Sequence, residues 1–358
     1  MILSKLDRFI IRKFLGTFVF ILMLLMSISV VFDLSEKLNE LLVNGAPWSE
    51  IIGIYYANFF IYYGVQFSYL INFISVIWFT SKMANNSEIV PILSAGVSFN
   101  RLLRPYLISS AILVLVVIVM YNYVLPESNK TRIAFEETYY RAKLHRMDVH
   151  MQINQNEILY FNHFNASSGE ITEMRLERWD GDSLSYMLKA KHARGDSLSN
   201  KWHLNVYEVR KFGDFHDTMY FNQEIDTVLS FGMKDIVFRP EGVEAMNYTE
   251  LNEFIEQQTK IGSDNVPRYI MEKHKRWAAP FAIFVLTVIG LSVASKRSRG
   301  GLGVNIAVGL SICVLYIFCM QMTTVAALNV GFTPVLAVWL PNIIFSIIAV
   351  FLYRIAPK

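Results

Sequence analysis

The feature that most constrains this chain is a run without a single ionisable side chain. Residues 14–32, FLGTFVFILMLLMSISVVF, contain no Asp, Glu, Lys, Arg or His. As a helix the run rises about 29 Å, close to the hydrocarbon thickness of a bilayer. Five further stretches (51–80, 105–126, 277–295, 302–328 and 332–353) have the same character once their ends are trimmed. Across the 358 residues 53% are hydrophobic and only 18% charged, whereas a soluble domain carries about 25%. A soluble globule and a disordered chain are both excluded by that balance. The net charge of +3 is too small to imply a nucleic-acid partner.

The six candidate spans fall three on each side of a polar block running from about Glu127 to Arg276, which holds all seven histidines. Six spans place both termini on one side. That side carries twelve basic residues (Lys5, Arg8, Arg12, Lys13, Lys82, Arg101, Arg104, Lys296, Arg297, Arg299, Arg354 and Lys358) against Asp7 and Glu88. The opposite side has Asp33, Glu36, Glu40 and Glu50 against Lys37, followed by the block itself, with 20 Lys and Arg against 24 Asp and Glu. The excess of cations in short loops assigns the termini to the cytoplasm and the block to the extracytoplasmic side. The first apolar run is longer than a cleaved signal's and lacks a small-residue cleavage site, so it is expected to be retained.

Within the block, residues 148–240 read as β. Short runs at Val149–Ile153, Glu157–Asn162, Ile171–Asp180, Tyr186–Arg194, Lys201–Phe212 and Thr218–Phe221 are separated by turn signals such as Asp180-Gly181-Asp182 and Gly195-Asp196. This spacing predicts a sandwich, barrel or jelly roll. A helix follows near Tyr248–Ile261, capped by Asn247 or Thr249 and stopped by Gly262, and another starts near Pro267 and continues into the fourth span. The expected division is 1–126 for spans one to three, 127–247 for the β domain, and 248–358 for a linker helix with spans four to six. The histidines form no HxH or HxxxH group, so no metal site is expected. Cys313 and Cys319 lie within the fifth span and read as packing residues.

The chain has no GxxxxGK[ST] loop, no GxSxG and no HExxH. Gly300-Gly301-Leu302-Gly303 follows no strand and reads as a flexible loop. The chain is therefore expected to be no enzyme and to bind no cofactor. The spans offer only neutral polar groups (Gln66, Asn72, Asn122, Asn305, Gln321 and Asn342), suited to hydrogen bonds between helices. Ion-driven transporters keep ionisable groups in the membrane, so any transport by this chain draws its energy from a partner.

One loop on the basic side stands out: Asn85–Arg104, NNSEIVPILSAGVSFNRLLR. Ser87 can cap a short helix over about 86–97, with Glu88 near its N-terminus, Pro91 in its first turn and Gly96 at its end. Such a helix can dock a soluble partner or simply connect two spans at the interface, and the residues alone do not choose.

Three spans, an outer β domain, three spans and no ATPase motif resemble the lipopolysaccharide-export permeases LptF and LptG. Local sequences agree along the chain: Leu6-Asp7-Arg8-Phe9 with Phe14; Ser87-Glu88-Ile89-Val90 through Ser94-Ala95-Gly96-Val97-Ser98, with Arg101 and Pro105; Asn122, Val124, Leu125, Pro126 and Asn129; His274, Arg276, Ala279 and Pro280; Gly301 with Tyr316; and Pro334 through Trp339-Leu340-Pro341-Asn342. The resemblance implies a jelly-roll outer domain in the periplasm and an inner-membrane location. It implies a second LptF/LptG-type permease as partner, and a cytoplasmic LptB ATPase dimer that binds the ATP and magnesium. It also implies lipopolysaccharide as cargo and a β bridge to LptC and LptA. Ser87, Glu88, Gly96 and Arg101 would then belong to the ATPase-coupling motif, with Glu88 meeting a basic site on the ATPase. Basic residues at the outer end of the first span serve lipid phosphates in LptG-type members. Here Lys37, among acidic neighbours, is the one candidate. A non-transporting membrane anchor or sensor, whose outer β domain binds a ligand or protein, is the alternative.

Overall fold

The computed structural model describes residues 4–139, 145–165, 168–196, 200–213, 216–233, 236, 240–263, 265–295 and 301–356. Helix α1 (Lys5–Val43) opens with a capping box, in which the Ser4 hydroxyl accepts from the Asp7 amide and the Asp7 carboxylate accepts from the Ser4 amide. Helix α2 (Trp48–Gln66) and α3 (Ser68–Asn85) follow, bent against each other by 69°. The stretch 51–80, expected as one span, is thus two helices. Phe67 leaves the helical region (φ −100°, ψ 9°), and Gln66 accepts a hydrogen bond from the Tyr121 hydroxyl at 3.2 Å. Short α4 (Ile89–Ser94) leads into α5 (Phe99–Tyr139), then to six strands and to α6 (Tyr248–Ile261), α7 (Val266–Ala294), α8 (Gly301–Asn329) and α9 (Pro334–Ile355). Among the described residues five helices are long and apolar enough to cross a membrane, or six if the bent pair counts as one. The basic run Lys296-Arg297-Ser298-Arg299 and Gly300 lie outside the described residues. Gly301 and Gly303, expected in a loop, lie within α8.

The bundle is built around α3 and α7. Phe73, Val76, Leu286 and Ile289 are fully buried between them. Gly290 permits the approach: a β-carbon there would lie 2.8 Å from Val76 and 3.2 Å from Phe73. Neutral polar groups pin this interior. The Asn72 amide donates to Thr287 at 2.9 Å, and the Ser110 and Thr287 hydroxyls lie 2.8 Å apart, which joins α3, α5 and α7. Asn342 of α9 accepts from Tyr316 of α8 and donates to the Ala278 carbonyl of α7, both at 2.9 Å. Asn72, Gln66 and Asn342 thus do bond between helices, whereas Asn122 bonds the Ile118 carbonyl of its own helix.

Helix α5 does not stop where its apolar run ends. Residue 127, where the outer domain was expected to begin, lies inside it, and the helix persists to Tyr139. The extension has no glycine and its one proline, Pro126, is in its first turn. Arg132 pairs with Glu136 one turn on and also bonds Asn129; the pair is buried, with the guanidinium over the Tyr62 ring, so each charge has its partner away from water. Strands β1 (His145–Asn154), β2 (Glu157–Asn165), β3 (Glu170–Asp180), β4 (Ser183–Gly195), β5 (Lys201–Lys211) and β6 (Thr218–Val228) form one antiparallel sheet in the order β1-β2-β3-β4-β5-β6. Each described strand pairs with its neighbours in sequence, because the connections are short. Among the described residues this is a meander, without the Greek-key crossing of a jelly roll, so the jelly-roll expectation is not borne out by them. One face is apolar: Leu159, Phe161, Phe164, Ile171, Leu176 and Trp202 pack with Phe231 and Ile236 from the segment after β6. The Trp202 indole donates to the Phe231 carbonyl at 3.0 Å, so its one polar atom is satisfied.

Candidate functional site: the loop at the basic end of the bundle

Between α3 and α5 the chain makes two tight reversals around α4. The Ser87 amide donates to the Ala84 carbonyl and the Glu88 amide to the Met83 carbonyl, at 3.1 and 2.9 Å. Ser87 therefore does not cap α4 as expected. It occupies the left-handed region (φ +56°), which costs a non-glycine residue of order 1 kcal/mol or more and holds only where the surroundings determine it. Glu88 is the residue preceding α4, with no side-chain cap bond. Pro91 falls in the first turn of the helix, where its missing amide has no cost. Gly96 (φ +84°) ends it, its amide donating to the Leu93 carbonyl at 3.0 Å. The helix is six residues, shorter than the expected span of 86–97.

The loop has an anchored face and an open one. Ile89 is buried, and Ile92 and Leu93 pack on the bundle core. Glu88 and Val90 are exposed, and the Asn86 amide holds the Glu88 carboxylate at 3.1 Å. A negative charge is thus presented on a fixed turn, on a side otherwise rich in cations. Arg101, expected beside it in function, points elsewhere. Its two terminal nitrogens contact the two Asp7 oxygens at 2.6 and 2.7 Å, and one also reaches the Ser4 hydroxyl at 3.2 Å. The guanidinium bonded to it holds the Asp7 carboxyl at a pKa of about 2, against the opposing effect of burial. Arg101 accordingly ties the start of α5 to the start of α1. Asp7, 94 residues away in sequence, was legible only as part of the Leu6-Asp7-Arg8-Phe9 motif; its charge in an otherwise basic segment is the one signal of its role.

Lys37 sits at the other end of α1. Its ammonium lies 2.7 Å from Asp33 and 2.5 Å from the Tyr55 hydroxyl, which in turn donates to Asp33 at 3.0 Å. Tyr56 also donates to Asp33, at 3.4 Å. Lys37 therefore neutralises an internal carboxylate and fastens α1 to α2. Among the described residues no group of three or more His, Cys, Asp or Glu side chains is arranged to hold a metal.

A model of the family described as lipopolysaccharide export system permease LptF/LptG matches residues 8–355, nearly the whole chain. The chain belongs to the LptF/LptG family. It is a multi-pass membrane protein, and the family is the permease component of a transporter. No curated protein matches the chain. In an LptF/LptG member, the Ser87–Ser98 segment acquires a specific interest, since a permease component works within a larger transporter.

Proposed function

We propose that this chain is a permease subunit of an ABC transporter that extracts lipopolysaccharide from the inner membrane, with both termini in the cytoplasm and the sheet in the periplasm. It works beside a second LptF/LptG-type permease. ATP and magnesium are bound by a cytoplasmic LptB dimer, and the lipid passes to a β bridge with LptC and LptA. The observation that carries the reading is the exposed Glu88 on its fixed turn, seated between two helices that run directly into the bundle core. A carboxylate held this way can meet a basic site on an ATPase, and Ser87, Gly96 and the packed Ile89 keep it in place. The bridge is supported by the edge of the sheet, where among the described residues β6 pairs only with β5. Strand β6 carries Met219, Tyr220 and Phe221 in succession, each more than 60% exposed. An open edge of that kind is a template for strand addition. Lys37, bound to Asp33, gives phosphate capture at the outer end of α1 little support, and the partner permease is the better source of that charge.

The test is Glu88→Lys with Glu88→Ala. Both variants are expected to fold, because the side chain is exposed, and to lose co-purification of the ATPase or lower ATP-driven lipid release at least tenfold. Normal co-purification and release by both would overturn the coupling role. Recovery of no nucleotide-binding subunit with the unaltered protein would instead favour the anchor or sensor reading.

A further inference from the structure

A second feature of the basic end is not used by the transport reading. Between α1 and α3 lies a cavity of about 760 Å³ lined by Arg12, Lys13, Gly16, Phe20, Trp78 and Lys82, among others. Arg12, Gly16 and Phe20 recur every fourth residue, so they line one stripe of α1. Trp78 and Lys82 stand in the same relation on α3. The cations cluster at one end. Arg12 and Lys13 immediately precede the uncharged run 14–32, and Lys82 follows the apolar part of α3. All three are exposed, and no carboxylate pairs with any of them among the described residues. The rest of the groove is apolar: Phe20 is 59% and Trp78 41% exposed. From Arg12 to Phe20 the helix rises about 12 Å, which carries the groove from the membrane boundary well into the hydrocarbon layer. Gly16 keeps its floor open, since a β-carbon there would meet nothing within 4 Å.

We propose that this groove binds an acidic glycerophospholipid from the leaflet on the Arg12 side, with its phosphate among Arg12, Lys13 and Lys82 and its acyl chains along Gly16, Phe20 and Trp78. The charge selects an anion, and the aromatic floor selects one that carries hydrocarbon. A soluble anion uses only the rim, and a zwitterionic lipid uses only the floor. The site lies at the end of α1 nearest the Glu88 loop, away from the sheet to which the transport reading delivers the cargo. Such a lipid fills the gap between α1 and α3 and fixes the spacing of the two helices that flank the Glu88 loop and Asp7.

Trp78 reports on the groove directly. The full-length protein, with whatever subunits co-purify, is reconstituted with brominated phosphatidylglycerol or brominated phosphatidylcholine. The fluorescence lost in Trp78→Phe isolates its signal from the other five tryptophans. Brominated phosphatidylglycerol is expected to quench Trp78 at a lower mole fraction than brominated phosphatidylcholine. Each of Arg12→Gln, Lys13→Gln and Lys82→Gln is expected to cut that preference roughly fivefold. Gly16→Leu, whose β-carbon would meet nothing within 4 Å, fills the floor and is expected to reduce quenching by both lipids. Equal quenching by the two lipids, or a preference that survives the triple Gln variant, overturns the proposal. So does displacement by inorganic phosphate at constant ionic strength, which would indicate a soluble anion. A preference that disappears whenever the second permease is present would make the groove a protein interface, and also overturns it.

Discussion

Helices α1 and α7 are similarly apolar yet are held in opposite ways. The apolar window of α7 is 72% buried within the chain, that of α1 only 22%. Close packing on α3 secures α7: Ala282, Ile283, Leu286 and Ile289 have no exposed surface. Helix α1 turns most of its length outward and is fastened by charged clasps near its two ends, Asp7 with Arg101 and Lys37 with Asp33 and Tyr55. The same amino-acid chemistry thus makes a rigid interior helix in one case and a peripheral one in the other. The difference lies in what surrounds it, and in where the rare charges fall. A peripheral helix held at its ends can move against its neighbours with little loss of buried apolar area.

This contrast can be broken in graded ways. The largest effect is expected from Phe73→Ala, which removes a fully buried ring between α3 and α7. It should cost about 3–5 kcal/mol, read as a lowered and broadened unfolding transition of the whole bundle in detergent. Asp7→Asn should cost about 2 kcal/mol, the worth of hydrogen bonds to a charged partner, and should show first as faster hydrogen exchange at the start of α1 with α7 unchanged. A drop as large as that of Phe73→Ala, spread over the bundle, would mean that α1 is not peripheral. The pH dependence is a finer test of the same clasp. The Asp7 carboxyl is lowered in the fold from 3.8 to about 2, so its stabilisation is complete above pH 3.8 and is lost as the pH falls through about 2. The protein should therefore show no Asp7-dependent change between pH 5 and 8, and only Asp7→Asn should lack the acid-side loss. Lys37→Met should loosen α1 from α2 by about 1 kcal/mol without altering lipopolysaccharide crosslinking near residue 37; altered crosslinking at unchanged stability would make Lys37 a substrate contact. The smallest effect, under about 0.5 kcal/mol, is expected from Phe318→Ala on the outward face of α8, where the ring is 61% exposed. If that cost rises once the second permease is present, the exposed face of α8 is where the partner sits.

Much of this fold could be read from local signals, because local chemistry decides it. Asn247 caps α6 with Glu250 in a reciprocal box, and Gly262 (φ +82°) stops it, as the residue types dictate. Pro267 lies in the first turn of α7. What escaped reading depends on distant partners. Nothing in Gln66-Phe67-Ser68 marks a 69° bend; the hydroxyl of Tyr121, 55 residues on, meets Gln66 there. Strand β6, expected to end at Phe221, continues to Val228, because an exposed edge has no buried face to impose alternation on Asn222-Gln223-Glu224. In the candidate site the positions of Glu88 and Gly96 were legible, since a left-handed glycine and a polar turn are local. The geometry of Ser87 and the engagement of Arg101 were not, because the first is fixed by backbone packing and the second by Asp7.

Helix α5 spans 41 residues, about 60 Å, roughly twice the hydrocarbon thickness of a bilayer. It starts at Phe99, directly after the Gly96 turn that closes the Glu88 loop, and ends at Tyr139, six residues before the first strand. As a lever of that length, a tilt of about 10° at one end carries the other through about 10 Å, two strand spacings of a sheet. A π-helical turn at Met120–Val124 interrupts the α-helical hydrogen bonding partway along this shaft.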